Sequence, residues 1–336
     1  MTTPKSVPLS ELDGSRLPFV SVILPILNEE NFLEDAISSI FSQDYLGKLE
    51  IVLAVAPSKD RTREIADELK RQNPTVVVVD NPSGRTAAGL NAALQISQGE
   101  VIVRLDGHAQ LPLDYISNAV ATLAATGAVN VGGVMAAEGI TEFEKSVAGA
   151  MRSPLGVGAS RFHTGGSPGE VDTVYLGVFL RSALIAINGF DERFTRAQDW
   201  ELNYRLRKNG GKIFFDPKLH VTYRPRSTVR ALAKQYFEYG RWRRVVSRRH
   251  EGTINFRYLA PPVALIGFLS SLILGLFHPL FFAPAAIYLL FVLAASISIA
   301  RSLLQYFYLL AVIPTMHFAW GAGFITSGRN LVPADE

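Results

Sequence analysis

Apolar and polar positions follow two rhythms along this chain, and a third regime takes over near its end. Phe19–Leu27 (FVSVILPIL) is a near-continuous apolar run, the mark of a parallel strand covered on both faces. Leu49–Val55, Thr75–Val79 and Glu100–Leu105 repeat that pattern. Between the runs, apolar residues recur at helical spacing, as in Phe32, Leu33, Ala36, Ile37, Ile40 and Phe41. Asn28 or Asn31 is the expected N-cap of that helix. Asp60–Arg71 and Arg85–Ile96 read as two more helices, the second closed near Gly99. Strand and helix thus alternate β-α-β-α-β-α-β, which predicts an α/β, Rossmann-like fold with a mostly parallel sheet. The turn after the first strand, Pro25-Ile26-Leu27-Asn28-Glu29, lacks the glycine fingerprint of dinucleotide binders and argues against NAD.

The next hundred residues are less regular. Ala128–Met135, Thr173–Leu180, Lys212–Phe215 and His220–Tyr223 read as strands, and Gly189–Glu192 as a turn. Trp200–Lys208 reads as a helix stopped by Gly210-Gly211. Leu155–Glu170, rich in glycine and serine, reads as a long loop of the kind that closes over a ligand.

Val229–Arg249 interleaves Leu232, Tyr236, Phe237, Tyr239 and Trp242 with Arg241, Arg243, Arg244, Arg248 and Arg249. A basic, aromatic amphipathic helix suits a membrane interface. Leu259–Phe277, Leu280–Ala300 and Leu303–Ile325 come next, nearly free of charge, each close to the roughly 20 residues that cross a bilayer. The expected division is a mobile lead-in over 1–18, a cytosolic domain over 19–227, an interface helix over 228–250, three transmembrane helices within 259–325 and a tail over 326–336. With the arginine-rich helix facing the cytosol, Arg301 falls inside and Arg329–Glu336 outside. Met1–Pro18 contains no apolar run of a secretory signal, so the N-terminal region is expected to stay cytosolic, at the cell (inner) membrane.

Composition sharpens this only in places. The formal net charge of +3 is too small to argue for nucleic acid. Absence of cysteine excludes disulfides, thiol chemistry and thiolate metal ligands. The mean hydropathy of +0.19 is high, and the excess lies at the C-terminal end.

The chemistry-bearing stretch is Val101-Ile102-Val103-Arg104-Leu105-Asp106-Gly107-His108. A buried strand here ends by presenting a carboxylate and an imidazole where open α/β sheets bind ligands. Gly107 lets the backbone turn so that Asp106 and His108 can reach one ion. Carboxylate plus imidazole suits Mn²⁺ or Mg²⁺ carrying a diphosphate, and zinc less well; the competing reading is a capping Asp106 with His108 at the surface. An acceptor hydroxyl needs a base, and Asp199 at the N-terminal end of a helix is the candidate, the plain alternative being an N-cap. Glu201 and Arg205 stand at i, i+4 and read as a helix-stabilising pair. His220 is a further conceivable metal ligand, though a lone strand histidine is more often structural.

Ser21-Val22-Ile23-Leu24-Pro25 with Asn28-Glu29, Asp106-Gly107-His108 and Gln198-Asp199-Trp200-Glu201-Leu202 with Arg205-Leu206 together resemble the family 2 inverting glycosyltransferases, over about residues 19–225. Within them the chain is similar to the membrane-anchored, succinoglycan-biosynthesis-type subgroup, with less specific support from Tyr223–Arg226 and Gln235–Arg241. The resemblance implies a nucleotide-diphospho-sugar transferase fold of the GT-A type and a nucleotide-sugar donor, usually a uridine diphosphate sugar. It implies that Pro25 and Glu29 line the nucleotide pocket, that Asp60 follows the second strand as the family's acidic residue, and that Arg85 and Asn91 lie near the sugar nucleotide. It places Asp106, helped by His108, on the divalent metal, and makes Asp199 the base of a single inverting displacement. The acceptor it implies is a polyprenyl-diphosphate-linked glycan at the cytosolic membrane face.

Three departures qualify the match. Ala54–Pro57 stand where many members carry paired aspartates against base and ribose. The metal motif ends in His108. Arg241-Trp242 is preceded by Gln235 at six residues rather than the three of processive members, which favours addition of a single sugar. Transfer to polyprenyl phosphate, and a catalytically silent nucleotide-sugar-binding scaffold, remain alternatives; a transporter lacks any intramembrane carboxylate.

Overall fold

The computed structural model describes residues 16–332. Most of the lead-in expected over 1–18, and the last residues of the tail expected over 326–336, lie outside the described residues. By packing, the chain divides into two units. One runs to Ala136 and resumes over Gly165–Thr222; the other joins Ala137–Thr164 to the chain from Tyr223 onward. The segment 137–164, read from sequence as part of the 19–227 domain, therefore packs with the C-terminal helices.

The first unit opens with β1 (Val20–Ile26), α1 (Leu33–Phe41), β2 (Leu49–Val55), α2 (Thr62–Gln72), β3 (Val76–Asp80), α3 (Thr86–Ile96), β4 (Val101–Arg104), α4 (Tyr115–Thr126) and β5 (Asn130–Ala137). Next come α5 (Glu142–Met151), α6 (Pro154–Val157) and α7 (Arg161–Thr164), which belong to the second unit. The first unit resumes with β6 (Gly169–Glu170), β7 (Val178–Leu180), α8 (Arg181–Ala186), α9 (Gln198–Lys208) and β8 (Ile213–Tyr223). One eight-stranded sheet results, in the order β3-β2-β1-β4-β7-β5-β8-β6. β1 to β4 are parallel; the apolar runs of β1, β2 and β4 are buried, while Val77–Val79 of the edge strand β3 are only partly so. β7 is antiparallel to both β4 and β5. It enters through Leu176 and Gly177, both at positive φ, and not through a helix, so the sheet is only half parallel.

Four local expectations change. Neither Asn28 nor Asn31 caps α1; Phe32 precedes the helix without a side-chain cap, and Asn28, at φ 58°, accepts a hydrogen bond from the Lys59 N–H. Leu155–Glu170 is not one loop, since it contains α6 and α7 and reaches β6. Thr173–Leu180 is strand only over its last three residues. Lys212–Phe215 and His220–Tyr223 belong to one continuous β8.

The second unit adds α10 (Val229–Arg249), α11 (Phe256–Gly275), α12 (Ala283–Ile299) and α13 (Leu303–Thr326), with a 3-10 turn at Pro279–Phe282 leading into α12. Three segments, Phe256–Gly275, Pro279–Ile299 and Leu303–Thr326, are long and apolar enough to cross a membrane. α10 and α13 touch backbone to backbone: a Cβ on Gly240 would stand 1.9 Å from the Trp320 carbonyl oxygen, and one on Gly323 2.0 Å from that of Phe237. Only glycine permits so close an approach of two helices.

Candidate active site

Strand order places the site. From β1 the sheet proceeds one way through β2 and β3, then the chain returns to lay β4 on the other side of β1. Ligands of open α/β sheets sit at such a reversal, beyond the carboxyl ends of the two diverging strands. Pro25 sharpens the divergence. Leu105 donates its N–H to the Ile23 carbonyl, and the next bond of that ladder would need an N–H at Pro25, which has none. The chain after β4 is thereby released from the sheet, and this chain is Asp106-Gly107-His108.

Period-2 alternation sets the side chains. Arg104 and Asp106 are two apart and share a face. The Arg104 side chain is only 7% exposed and donates through Nη2 to Asp106 Oδ1 at 3.2 Å. Through Nη1 it donates to Asp199 Oδ1. One buried guanidinium thus ties the expected metal carboxylate to the expected base, while its Nε is buried without a partner among the described residues. Asp199 is held in the first turn of α9 by Ala197, a non-glycine residue at φ 59°. Asp199 is not the cap residue, and no side chain caps α9. Backbone strain of this kind persists where surrounding structure over-determines it, often at ligand sites. Behind it, Glu201 is 1% exposed and pairs twice with Arg205 at 2.7 Å, whose Nη1 also donates to the Ile187 and Gly189 carbonyls. The pair anchors α9 to the turn before it, and does more than stabilise the helix locally.

Glu29, from the end of β1, meets His108 from the end of β4: the Nδ1···Oε1 distance is 2.9 Å. Gly107 makes this possible, because a Cβ there would lie 2.9 Å from both Glu29 Cγ and Ile26 Cγ2. With Nδ1–H given to a carboxylate, Nε2 carries the lone pair, the arrangement in which histidine binds a metal. Among the described residues no three His, Asp or Glu side chains converge on one point. An ion held by Asp106 and His108 would take only one carboxylate and one imidazole from the chain and would need its remaining oxygens from elsewhere, a donor chemistry that Mg²⁺ and Mn²⁺ accept. His220 is exposed on β8, its Nδ1 3.3 Å from the Lys218 carbonyl, and takes no part in such a set.

Asp60 receives the Thr62 hydroxyl at 2.6 Å, the Thr62 N–H at 3.1 Å and the Glu30 N–H at 3.2 Å. Desolvation pushes its carboxyl upward, but these hydrogen bonds outweigh it and hold it below the usual carboxylate range. Asp60 thus knits the loop after β2 to the loop after β1. Arg85 and Asn91 both fasten the turn at 190–192: Arg85 Nη1 donates to the Glu192 carbonyl at 2.9 Å, and Asn91 exchanges bonds of 2.8 Å with the Phe190 backbone. Sequence reasoning missed Arg104 as a site residue. Its signal was a single charge inside an otherwise apolar strand, in phase with Asp106.

A profile described as "Glycosyl transferase family 2" matches residues 21–187. The chain is 32% identical to succinoglycan biosynthesis protein ExoA of Rhizobium meliloti, over 90% of this chain and 93% of that protein. The chain belongs to glycosyltransferase family 2. It is also 26% identical to a dolichyl N-acetyl-alpha-D-glucosaminyl phosphate 3-beta-D-2,3-diacetamido-2,3-dideoxy-beta-D-glucuronosyltransferase of Methanococcus voltae, over 77% of this chain and 82% of that one. Among solved structures, the mannosyltransferase PcManGT of Pyrobaculum calidifontis, in complex with GDP-Man and Mn²⁺, superposes with a TM-score of 0.63 at 21% identity, over 95% of this chain and 88% of the other. This family 2 chain is a glycosyltransferase with a GT-A-like mixed sheet.

Proposed function

We propose that this chain transfers one sugar from a nucleotide-diphosphate sugar, a uridine diphosphate sugar by preference, to a polyprenyl-diphosphate-linked glycan, in extracellular polysaccharide or cell-envelope glycan biosynthesis. The single observation that carries this reading is the Asp106–Arg104–Asp199 line at the carboxyl end of β4. Asp106 and His108 would hold Mn²⁺ or Mg²⁺, which supplies charge neutralisation on the leaving diphosphate. Asp199, oriented through Oδ1 by Arg104, accepts the proton of the acceptor hydroxyl. The hydroxyl oxygen bonds to the anomeric carbon as the bond to the diphosphate oxygen breaks, and that electron pair leaves with the nucleoside diphosphate. One displacement inverts the anomeric centre.

The lipid-borne acceptor is supported by the name of the relative acting on a dolichyl phosphate sugar, and the polysaccharide setting by that of the relative in succinoglycan biosynthesis. Location at the cell (inner) membrane, catalytic unit in the cytosol, is supported by the apolar C-terminal helices and by the arginines of α10 beside them. The test is transfer by detergent-purified protein from a panel of labelled nucleotide sugars to polyprenyl-diphosphate glycan, with and without Mn²⁺. Label entering the lipid fraction is expected, and is expected to vanish in Asp199→Asn and Asp106→Ala. Saturable donor binding without turnover would replace the enzyme reading by a scaffold.

A further inference from the structure

Among the described residues three helices are apolar enough to cross a bilayer, but their surroundings differ. Of the most apolar 18-residue window in each, 17%, 22% and 39% is buried, in chain order. The third, α13, packs against α11 and α12 and also against α5, α6 and α10 of its own unit. Near its start, Gln305 donates to Glu142 of α5 at 3.0 Å, and Tyr308 packs edge-on against Phe143 at 5.5 Å. Further on, His317 Nε2 lies 3.1 Å from the Leu155 carbonyl of α6. Over its last turns α13 crosses α10 at Gly240 and Gly323. Arg244 of α10 lies over the Phe324 ring at 5.0 Å, Ser327 donates to the Arg241 carbonyl at 2.9 Å, and Arg248 donates to the Ser327 and Gly328 carbonyls at 3.0 Å.

These contacts run from Gln305 to Gly328, about 34 Å at the ~1.5 Å rise of a helix, which exceeds the ~30 Å of bilayer hydrocarbon. Were α13 to cross, Glu142 would hold one end and Arg248 the other, on opposite sides. One of the helices bound to its two ends, α5 or α10, would have to be carried across with it, and α10 carries Arg230, Lys234, Glu238, Arg241, Arg243, Arg244, Arg248 and Arg249. A helix so charged does not enter hydrocarbon.

α11 and α12 meet the charged helices only near their open ends; farther along, Phe268 and Tyr288 pack on Phe318 of α13 at 5.2 and 4.9 Å. α11 starts beside α10, with Arg243 over the Tyr258 ring at 3.7 Å, and α12 ends beside α5, where a Cβ on Gly149 would meet Ile299 at 2.9 Å. Both open ends of this hairpin therefore stand against charged helices. Its turn bears Leu276, Phe277 and Leu280, each at least 72% exposed.

We propose that only the α11–α12 hairpin enters the bilayer, and that α13 lies on the side from which α10 leads in, with residues 326–332 on that same side. This rests on the membrane location proposed above. The chain contains no cysteine, so single cysteines report cleanly. Thr326→Cys and Gly328→Cys are introduced separately; both positions are exposed, and a Cβ on Gly328 meets nothing within 4 Å. Lys70→Cys, on exposed α2, reports the catalytic unit, and Phe277→Cys the hairpin turn. Each full-length variant is labelled with a membrane-impermeant maleimide in intact cells and in inverted vesicles. Labelling of positions 326 and 328 from the same side as position 70, with position 277 not labelled from that side, is expected. Labelling of 326 and 328 from the opposite side, or only after detergent, overturns the proposal. Release of every variant from membranes by carbonate overturns instead the membrane location on which it rests.

Discussion

Arg104 and Asp199 lie 95 residues apart in the chain and share a hydrogen bond between guanidinium Nη1 and carboxylate Oδ1. The same guanidinium reaches Asp106 at 3.2 Å. A residue in this position does no bond-making. It sets the aim of two carboxylates, and its own place is set by the sheet, where its backbone N–H donates to the Gly177 carbonyl at 3.2 Å.

Replacing Arg104 by Met therefore removes positioning without removing either carboxylate. A charge-assisted hydrogen bond contributes about 1.5–3 kcal/mol, so kcat is expected to fall roughly 10- to 100-fold, with a smaller change in donor KM. Arg104→Lys, which can restore one contact but not both, should recover only part of the loss. Steady-state kinetics on the three proteins check this; an unchanged kcat in Arg104→Met would remove Arg104 from the site.

Glu29→Gln tests the histidine's tautomer. A carboxylate behind a metal-binding imidazole strengthens affinity about 10- to 100-fold. The apparent Mn²⁺ requirement, titrated by activity and by binding of Mn²⁺ followed by electron paramagnetic resonance, should rise by that factor, with activity at saturating metal largely kept. Equal metal affinity in wild type and variant would make the Glu29–His108 bond purely structural.

Glu201→Gln breaks a pair of which Glu201 is 1% exposed. Breaking a buried pair costs about 3–5 kcal/mol, and the low end applies because Arg205 keeps the Ile187 and Gly189 carbonyls. The melting temperature in detergent should drop by roughly 5–10 °C.

His163 supplies a pH dependence. Burial, then the nearby Arg257 guanidinium, pulls its pKa down to about 3, against about 6.5 in an unfolded chain. Acid protonates the unfolded state first. The associated stability is whole well above pH 6.5 and is lost as pH falls through and below it, by about 1.4 kcal/mol at pH 5.5. His163→Phe should flatten the difference in melting temperature between pH 7.5 and 5.5 relative to wild type; an identical slope would place the histidine in solvent.

Much of the first four strands was legible because parallel strands buried on both faces leave an uninterrupted apolar signature, as Val20–Ile26 and Leu49–Val55 do. α10 was read to the residue, since its basic-aromatic spacing is a local pattern. β7 and β8 were misjudged in extent because their partners are distant in sequence and their ends are set by pairing. The site divides in the same way. Asp106, His108 and Asp199 stand at strand and helix ends, which short-range patterns reveal.

What the amino-acid sequence by itself determined is the local chemistry: a parallel βα start, a carboxylate and an imidazole at a strand tip, an acidic helix start, and an apolar C-terminal region. What only the tertiary structure decided is which of these meet. The reversal of strand order at β1 and β4 brings Glu29 to His108. The fold of α9 onto the sheet brings Asp199 to Arg104. A close glycine crossing lays α13 against a charged helix that its own composition gives no hint of. Each is a contact between residues far apart along the chain, fixed by backbone pairing and close packing, and no periodicity within a segment encodes it.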